Sequence, residues 1–243
     1  MKIKRIYSKN FSINTHKLRK IRFLILHYTG MQSKRVSLER LLSVKHKVSC
    51  HYLIDRKGEI IQMVDNNNIA WHAGKSKWKN FKNLNFNSIG IELDNKGHRF
   101  GYQSFPKNQI KKLNNLILIL KRKFKIKNNC ILGHSDIAPL RKLDPGEKFP
   151  WLNIKIKGTR PGFSNIDKKF SELNDLKKNK FRNLFFKNIY KIGYRYFNKN
   201  KKSKSDRLIV KAFQRRFLQK NVNGIIDRKT LKISHYLANQ VKI

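Results

Sequence analysis

The period of the apolar positions changes several times along the chain, and each change marks an element. Residues 21–28, Ile-Arg-Phe-Leu-Ile-Leu-His-Tyr, form a near-continuous apolar run, the pattern of a central strand covered on both faces. Residues 37–43 predict a short helix. Residues 49–55 and 59–64 flank Arg56-Lys57-Gly58 and read as a hairpin with a glycine turn. Residues 88–94 alternate, with Ile89, Ile91 and Leu93 on one face and Gly90, Glu92 and Asp94 on the other. Residues 107–124 place Ile110, Leu113, Leu116, Ile117, Leu120 and Phe124 on one stripe of an amphipathic helix. Residues 130–134 predict a short strand running into a turn, followed by a Pro- and Gly-rich loop over 135–151. Strands, a hairpin and a long helix in this order predict an α/β fold, a mixed β-sheet flanked by helices.

Past about 160–175 the pattern is helical only. All five prolines lie between Pro106 and Pro161. Helices are predicted over 173–196, over 206–218 with Leu208, Ile209, Ala212, Phe213 and Phe217 on one stripe, and over 227–237 with Asp227 as N-cap. The lysine-rich stretch 198–204 reads as a solvated loop. Two domains are expected: 1–160, and a small all-α three-helix domain over 173–240.

The chain has 243 residues and is 39% hydrophobic, enough to build a core. Against 14 acids stand 57 Lys and Arg, a net charge of +43 that makes polyanions the natural partners: nucleic acid, anionic lipid or an anionic wall polymer. The same abundance of Lys, Asn and Ile follows from AT-rich coding, and the charge is spread along the chain. With no nucleic-acid motif present, only weak, non-specific nucleic-acid binding is expected. Cys50 and Cys130 are too few for a disulfide framework. The longest apolar run, 116–120, is far short of a transmembrane segment. The basic N-terminus has no apolar region behind it and no lipobox cysteine, which favours the cytoplasm over the cell envelope. A monomer is expected.

Eight histidines offer chemistry: His16, His27, His46, His51, His72, His98, His134 and His235. His27 ends the buried run, where an imidazole is costly without a partner. His134 ends another strand at the head of the irregular loop, and Asp144 follows ten residues later. Two imidazoles and a carboxylate with a fourth position open make a typical catalytic zinc shell, although Asp-Pro-Gly is also a strong turn former. Lys142, two residues before Asp144, falls on the same side of an extended loop and would set an ammonium beside the metal. Glu92, inside an apolar strand, is a candidate general base. A solvent-facing role for Glu92 stays open, and Asp94 on the same face is its rival.

Six motifs occur in order: Leu26-His-Tyr-Thr-Gly30, Ser49-Cys-His-Tyr-Leu-Ile-Asp-Arg-Lys-Gly58, Ala70-Trp-His-Ala-Gly74, Ser88-Ile-Gly-Ile-Glu-Leu93, Leu132-Gly-His-Ser-Asp-Ile-Ala-Pro139 and Lys142-Leu-Asp-Pro-Gly146. Over about residues 20–152 the chain thereby resembles the zinc-dependent N-acetylmuramoyl-L-alanine amidases of the amidase-2 type. That group includes the anhydro-muropeptide amidases and is related to phage lysozyme-like amidases and peptidoglycan recognition proteins. The resemblance implies Zn2+ on His27, His134 and Asp144, Glu92 as catalytic carboxylate and Lys142 steadying an oxyanion. It implies hydrolysis of the amide between N-acetylmuramic acid, or its 1,6-anhydro form, and L-alanine in peptidoglycan or muropeptides. Phage-type relatives have a tyrosine where Cys50 stands, which adds weight to Glu92. His72 is read as lining the cleft or structural, not as a ligand.

The tail motifs Val210-Lys-Ala-Phe-Gln-Arg-Arg-Phe217 and Val222-Asn-Gly-Ile-Ile-Asp-Arg-Lys-Thr-Leu231 resemble a three-helix peptidoglycan-binding module. The order of amidase and module is that of a subgroup of the family whose members are often lipoproteins. A non-catalytic muropeptide-binding protein is the alternative, and the presence of all three candidate ligands argues for the enzyme.

Overall fold

The computed structural model describes residues 2–15, 19–155, 166 and 170–241. Among the described residues ten strands precede the helical tail: β1 (Lys4–Arg5), β2 (Phe11–Ser12), β3 (Phe23–Tyr28), β4 (Tyr52–Ile54), β5 (Ile60–Gln62), β6 (Ile69–Ala70), β7 (Lys77–Trp78), β8 (Phe81–Lys82), β9 (Ser88–Leu93) and β10 (Ile131–Gly133). The main sheet runs β1-β5-β4-β9-β3-β10. Only the β4–β5 hairpin is antiparallel within it; β3 pairs in parallel with both β9 and β10. The sheet is therefore mixed, as the alternation of elements predicts. The hairpin turns at Gly58. β1, β2 and β6 to β8 have two residues each, too short for a periodic signal.

Six helices are described: α1 (Lys34–Leu42), α2 (Lys107–Phe124), α3 (His134–Ile137), α4 (Phe181–Ile192), α5 (Asp206–Phe217) and α6 (Arg228–Asn239). α2 occupies the residues its periodicity predicts and buries Ile110, Leu113, Leu116, Ile117 and Leu120 against Leu24, Leu26, Ile89, Ile91 and Leu93. α1 starts earlier than its apolar pattern because the Ser33 side chain accepts from Val36 N–H and caps it. α3 lies where a loop is expected; its Asp136 side chain accepts from Gly133 N–H at 2.7 Å and caps a single turn.

The opposite sheet face, with Phe23, Ile25 and Leu132, shares one apolar core with the tail, including Tyr194, Ile209, Phe213 and Leu231. The helix expected over 173–196 is shorter. Residues 171–173 and 178–180 form 3-10 turns, and α4 begins only at Phe181. Asn174 and Asp175 compete with helical hydrogen bonding there, and Lys177, Lys178 and Lys180 repel one another. α4 stops at Gly193, whose φ of +146° suits glycine alone. Asp227 caps α6 as expected, its Oδ1 accepting from Thr230 N–H at 2.7 Å. Residues 198–204 are exposed. The expected boundary at 160 lies outside the described residues. Among the described residues no helix is long and apolar enough to cross a membrane.

Gly193 also marks where the tail meets the sheet layer: a Cβ there would stand 2.4 Å from Trp78 Cε2. Gly193→Ala is expected to destabilise the protein by about 1–3 kcal/mol, read as a lower urea midpoint. An unchanged midpoint would show that this contact yields freely.

Candidate metal centre

Parallel pairing brings the site together. His27 on β3 lies in register with Glu92 on β9, and both point away from the α2 face. β10 delivers His134 at its C-terminal end, beside β3. The loop after α3 then folds back so that Ser135 N–H donates to the Asp144 carbonyl at 2.9 Å. His27 Nδ1, His134 Nδ1 and Asp144 Oδ2 form a buried triangle with every side 3.0 Å. Asp144 is thus more than a turn former.

Hydrogen bonding behind the triangle decides where the protons sit. His134 Nε2 lies 3.1 Å from the Ala73 carbonyl, which can only accept. In the neutral ring this fixes the proton on Nε2 and leaves a lone pair on Nδ1. Ser88 Oγ donates to the Leu84 carbonyl at 2.6 Å, so it accepts from His72 Nε2 at 3.1 Å. His72 Nδ1 then holds a lone pair and accepts from His27 Nε2 at 3.0 Å. The His27 proton is therefore on Nε2, and its Nδ1 lone pair faces Asp144. Burial and the neighbouring His134 depress His27 to about 4, against a smaller upward pull from Asp144. His72 is held well below the usual imidazole range, first by burial and then by His27 and His51.

With both rings neutral and protonated on Nε2, three lone-pair atoms face one another. A tetrahedral ion with bonds of about 2.0–2.2 Å sets its ligand atoms roughly 3.3–3.6 Å apart, so the 3.0 Å triangle needs to open by only a few tenths of an ångström to take one. The donor set and its close spacing suit a divalent cation, and these three residues could hold one.

Glu92 lines a small cavity with Thr29, Met31, Ser37, Arg40, Leu41 and Val48. Its Oε2 is buried without a hydrogen-bond partner. Burial, then Asp144, push the Glu92 carboxyl up to about 8, while Lys142 pulls it down. Lys142 acts on His27 as well, so its ammonium is within electrostatic reach of both. Asp94 lines a different cavity with Lys34, Asp55, Arg56, Lys57 and Glu59, and does not join the triangle. Cys50 is buried 3.9 Å from Met63 Sδ, and burial followed by Glu92 raises its thiol well above the usual range.

Other contributors carry weaker sequence signals. His72 fits only because Gly90 has no side chain; a Cβ there would lie 2.4 Å from the ring. Arg19 is buried and donates to the carbonyls of Phe86 at 3.0 Å, Asn68 at 2.6 Å and Ser88 at 2.6 Å, and to that of Asn85. Asn85 Oδ1 in turn accepts from the backbone N–H of His72 and Ala73. Arg19 shows no pairing pattern in the sequence because its partners are carbonyls. On the rim, Tyr28 OH contacts His98 Nδ1 at 2.9 Å, and His98 Nε2 contacts Glu147 at 3.1 Å. His51 accepts from Gly90 N–H at 3.0 Å behind the site, and burial lowers it to about 3. His46 is exposed, His235 packs against Phe170, and His16 lies outside the described residues.

Residues 17–147 match the N-acetylmuramoyl-L-alanine amidase family, and the chain belongs to it. The N-acetylmuramoyl-L-alanine amidase AmiD of Escherichia coli (strain K12) is 36% identical over 151 residues, 57% of this chain and 54% of that protein. The 1,6-anhydro-N-acetylmuramyl-L-alanine amidase AmpD of Haemophilus influenzae is 41% identical over 106 residues, 43% of this chain and 55% of that protein. The chain thus aligns with about half the length of these curated relatives. The structure of E. coli AmiD with the substrate anhydro-N-acetylmuramic acid-L-Ala-D-γ-Glu-L-Lys superposes with a TM-score of 0.78 at 28% identity. That match covers 93% of this chain and 91% of the other.

In the metal-free protein Glu92 makes stability depend on pH. Its folded value of about 8 lies above the ordinary 4.5, so the folded state keeps a proton that the unfolded chain releases. This contribution is full below about pH 4.5 and is lost as pH rises to about 8. Glu92→Gln is expected to melt higher than the parent at about pH 9, by the equivalent of a few kcal/mol, and to match it near pH 4.5. Thermal unfolding with a chelator present reads the difference; parallel curves across that range would assign Glu92 an ordinary carboxyl.

Proposed function

We propose that the chain is a zinc-dependent N-acetylmuramoyl-L-alanine amidase. In this reading it hydrolyses the amide between N-acetylmuramic acid, including its 1,6-anhydro form, and L-alanine in peptidoglycan or muropeptides. The observation that carries the reading is the buried 3.0 Å triangle of His27, His134 and Asp144, with Glu92 in register with His27 and its Oε2 unpartnered. Family membership and the named activities of AmiD and AmpD support the bond and the substrate class. Residues 1–160 carry the site, and 173–240 form the smaller helical domain beside it.

His27, His134 and Asp144 would hold the ion. Zinc there would supply a Lewis acid that polarises the amide carbonyl and makes water acidic near neutral pH. Glu92 takes the proton of the attacking water on its free Oε2 and returns it to the leaving amine of L-alanine. A carboxyl poised toward neutrality by burial suits both transfers. Lys142 sets positive charge where the carbonyl oxygen becomes anionic. His72, held by Ser88, keeps the His27 lone pair aimed at the ion.

Glu92→Gln is expected to bind zinc yet lose on the order of 100-fold or more of its hydrolysis. Chelation is expected to abolish activity and zinc to restore it, with mass spectrometry of sacculus and anhydro-muropeptide digests identifying peptides that begin at L-alanine. Activity indifferent to chelators would remove the metal from the mechanism. His72→Phe keeps the ring volume but removes the acceptor for His27 Nε2–H. Its zinc affinity is expected to fall about 10–100-fold in a competition titration, and unchanged affinity would reduce His72 to packing.

A further inference from the structure

Two corners of the triangle come from one short stretch, 133–146, and Asp136 lies near its start, two residues after His134. Its Oδ2 accepts from Gly133 N–H, next to His134. The rest of its hydrogen-bonding capacity is taken by the helical tail. Tyr194 OH donates to Oδ1 at 2.5 Å, and the Arg216 guanidinium of α5 pairs with Oδ2. This ion pair is sealed, its side chains 8% and 1% exposed. The same guanidinium donates to the Ile131 carbonyl at 2.8 Å and lies 4.4 Å over the Trp151 ring. Three residues further, the Gln219 amide donates to the Glu147 carbonyl at 2.6 Å and to that of Phe149, just past Asp144.

Apolar packing alone would seat the tail on the sheet. A buried ion pair adds little to docking strength once its desolvation is counted, and its best-attested use is to fix one arrangement. Here the arrangement it fixes is the turn that carries His134 and Asp144. We propose that the tail is the clamp of the candidate metal centre, with Tyr194 and Arg216 as positioning residues acting through Asp136. The proposal rests on reading the triangle as a metal site. It makes the helical segment part of the catalytic unit, not a freely tethered module.

The test uses the full chain in four forms: parent, Tyr194→Phe, Arg216→Met and Ser234→Ala. Ser234 accepts from Asn188 at 3.1 Å inside the helical bundle, so its loss loosens the tail without touching the turn. The readouts are the zinc dissociation constant, by competition with a chromophoric chelator, and hydrogen exchange at the Gly133 and Ser135 amides of the metal-free protein. Tyr194→Phe and Arg216→Met are expected to bind zinc about 10–100-fold more weakly and to exchange faster at both amides. Ser234→Ala is expected to melt lower with both readouts unchanged. Arg216→Lys is expected to recover part of the affinity. If Arg216→Met does not fold, Tyr194→Phe decides alone, since it keeps the ring and removes only the hydroxyl.

Unchanged affinity and exchange in folded Tyr194→Phe would overturn the clamp, as would an equal loss in Ser234→Ala. A parent protein that takes up no zinc, while its variants still exchange faster, would remove the metal reading and leave the clamp on the turn standing.

Discussion

Two imidazole nitrogens and a carboxylate oxygen meet at 3.0 Å in a buried site, and in the neutral rings the hydrogen bonds behind them hold the ring protons on the far nitrogens. Lone pairs packed so closely repel unless a cation stands among them. Much of the surrounding structure is organised around that demand. Parallel strands set His27 beside Glu92, a one-turn helix returns Asp144 to His134, and a vacant side chain at Gly90 admits the His72 ring.

Polar groups around the site do a second job, which is to limit its freedom. Ser88 fixes His72, His72 fixes His27, and Ala73 fixes His134. Arg19 binds the carbonyls of Asn68, just before β6, and of Ser88, at the start of β9, and so ties together the segments that lead to His72 and Glu92. On the far side, Asp136 links the turn that carries His134 and Asp144 to Tyr194 and Arg216 of the tail. The centre thus sits between two polar anchors, one at Arg19 and one formed by the tail on Asp136.

Much of the fold was legible because periodicity is local. The run at 21–28, the alternation at 88–94 and the stripe at 107–124 each report burial that the segment's own residues impose. The shorter α4 and the unexpected α3 depend on capping and on what lies across the chain, which a window of residues does not contain. Among candidate site residues, His27 stood out as an imidazole in an apolar strand. Glu92 and Asp94 share one parity and could not be ranked by pattern; their different surroundings separate them.

By itself, the chain determined its longer strands and helices, its sheet class and the residue types able to bind a cation, because apolar spacing and side-chain chemistry are properties of each segment. Only the tertiary structure decided which nitrogen of each histidine carries the proton, that Asp94 stands apart, and that the tail grips the turn of His134. Those facts depend on hydrogen-bond partners between 16 and 80 residues away. No spacing rule reaches across such separations; the packed sheet and helices bring the partners within bonding distance.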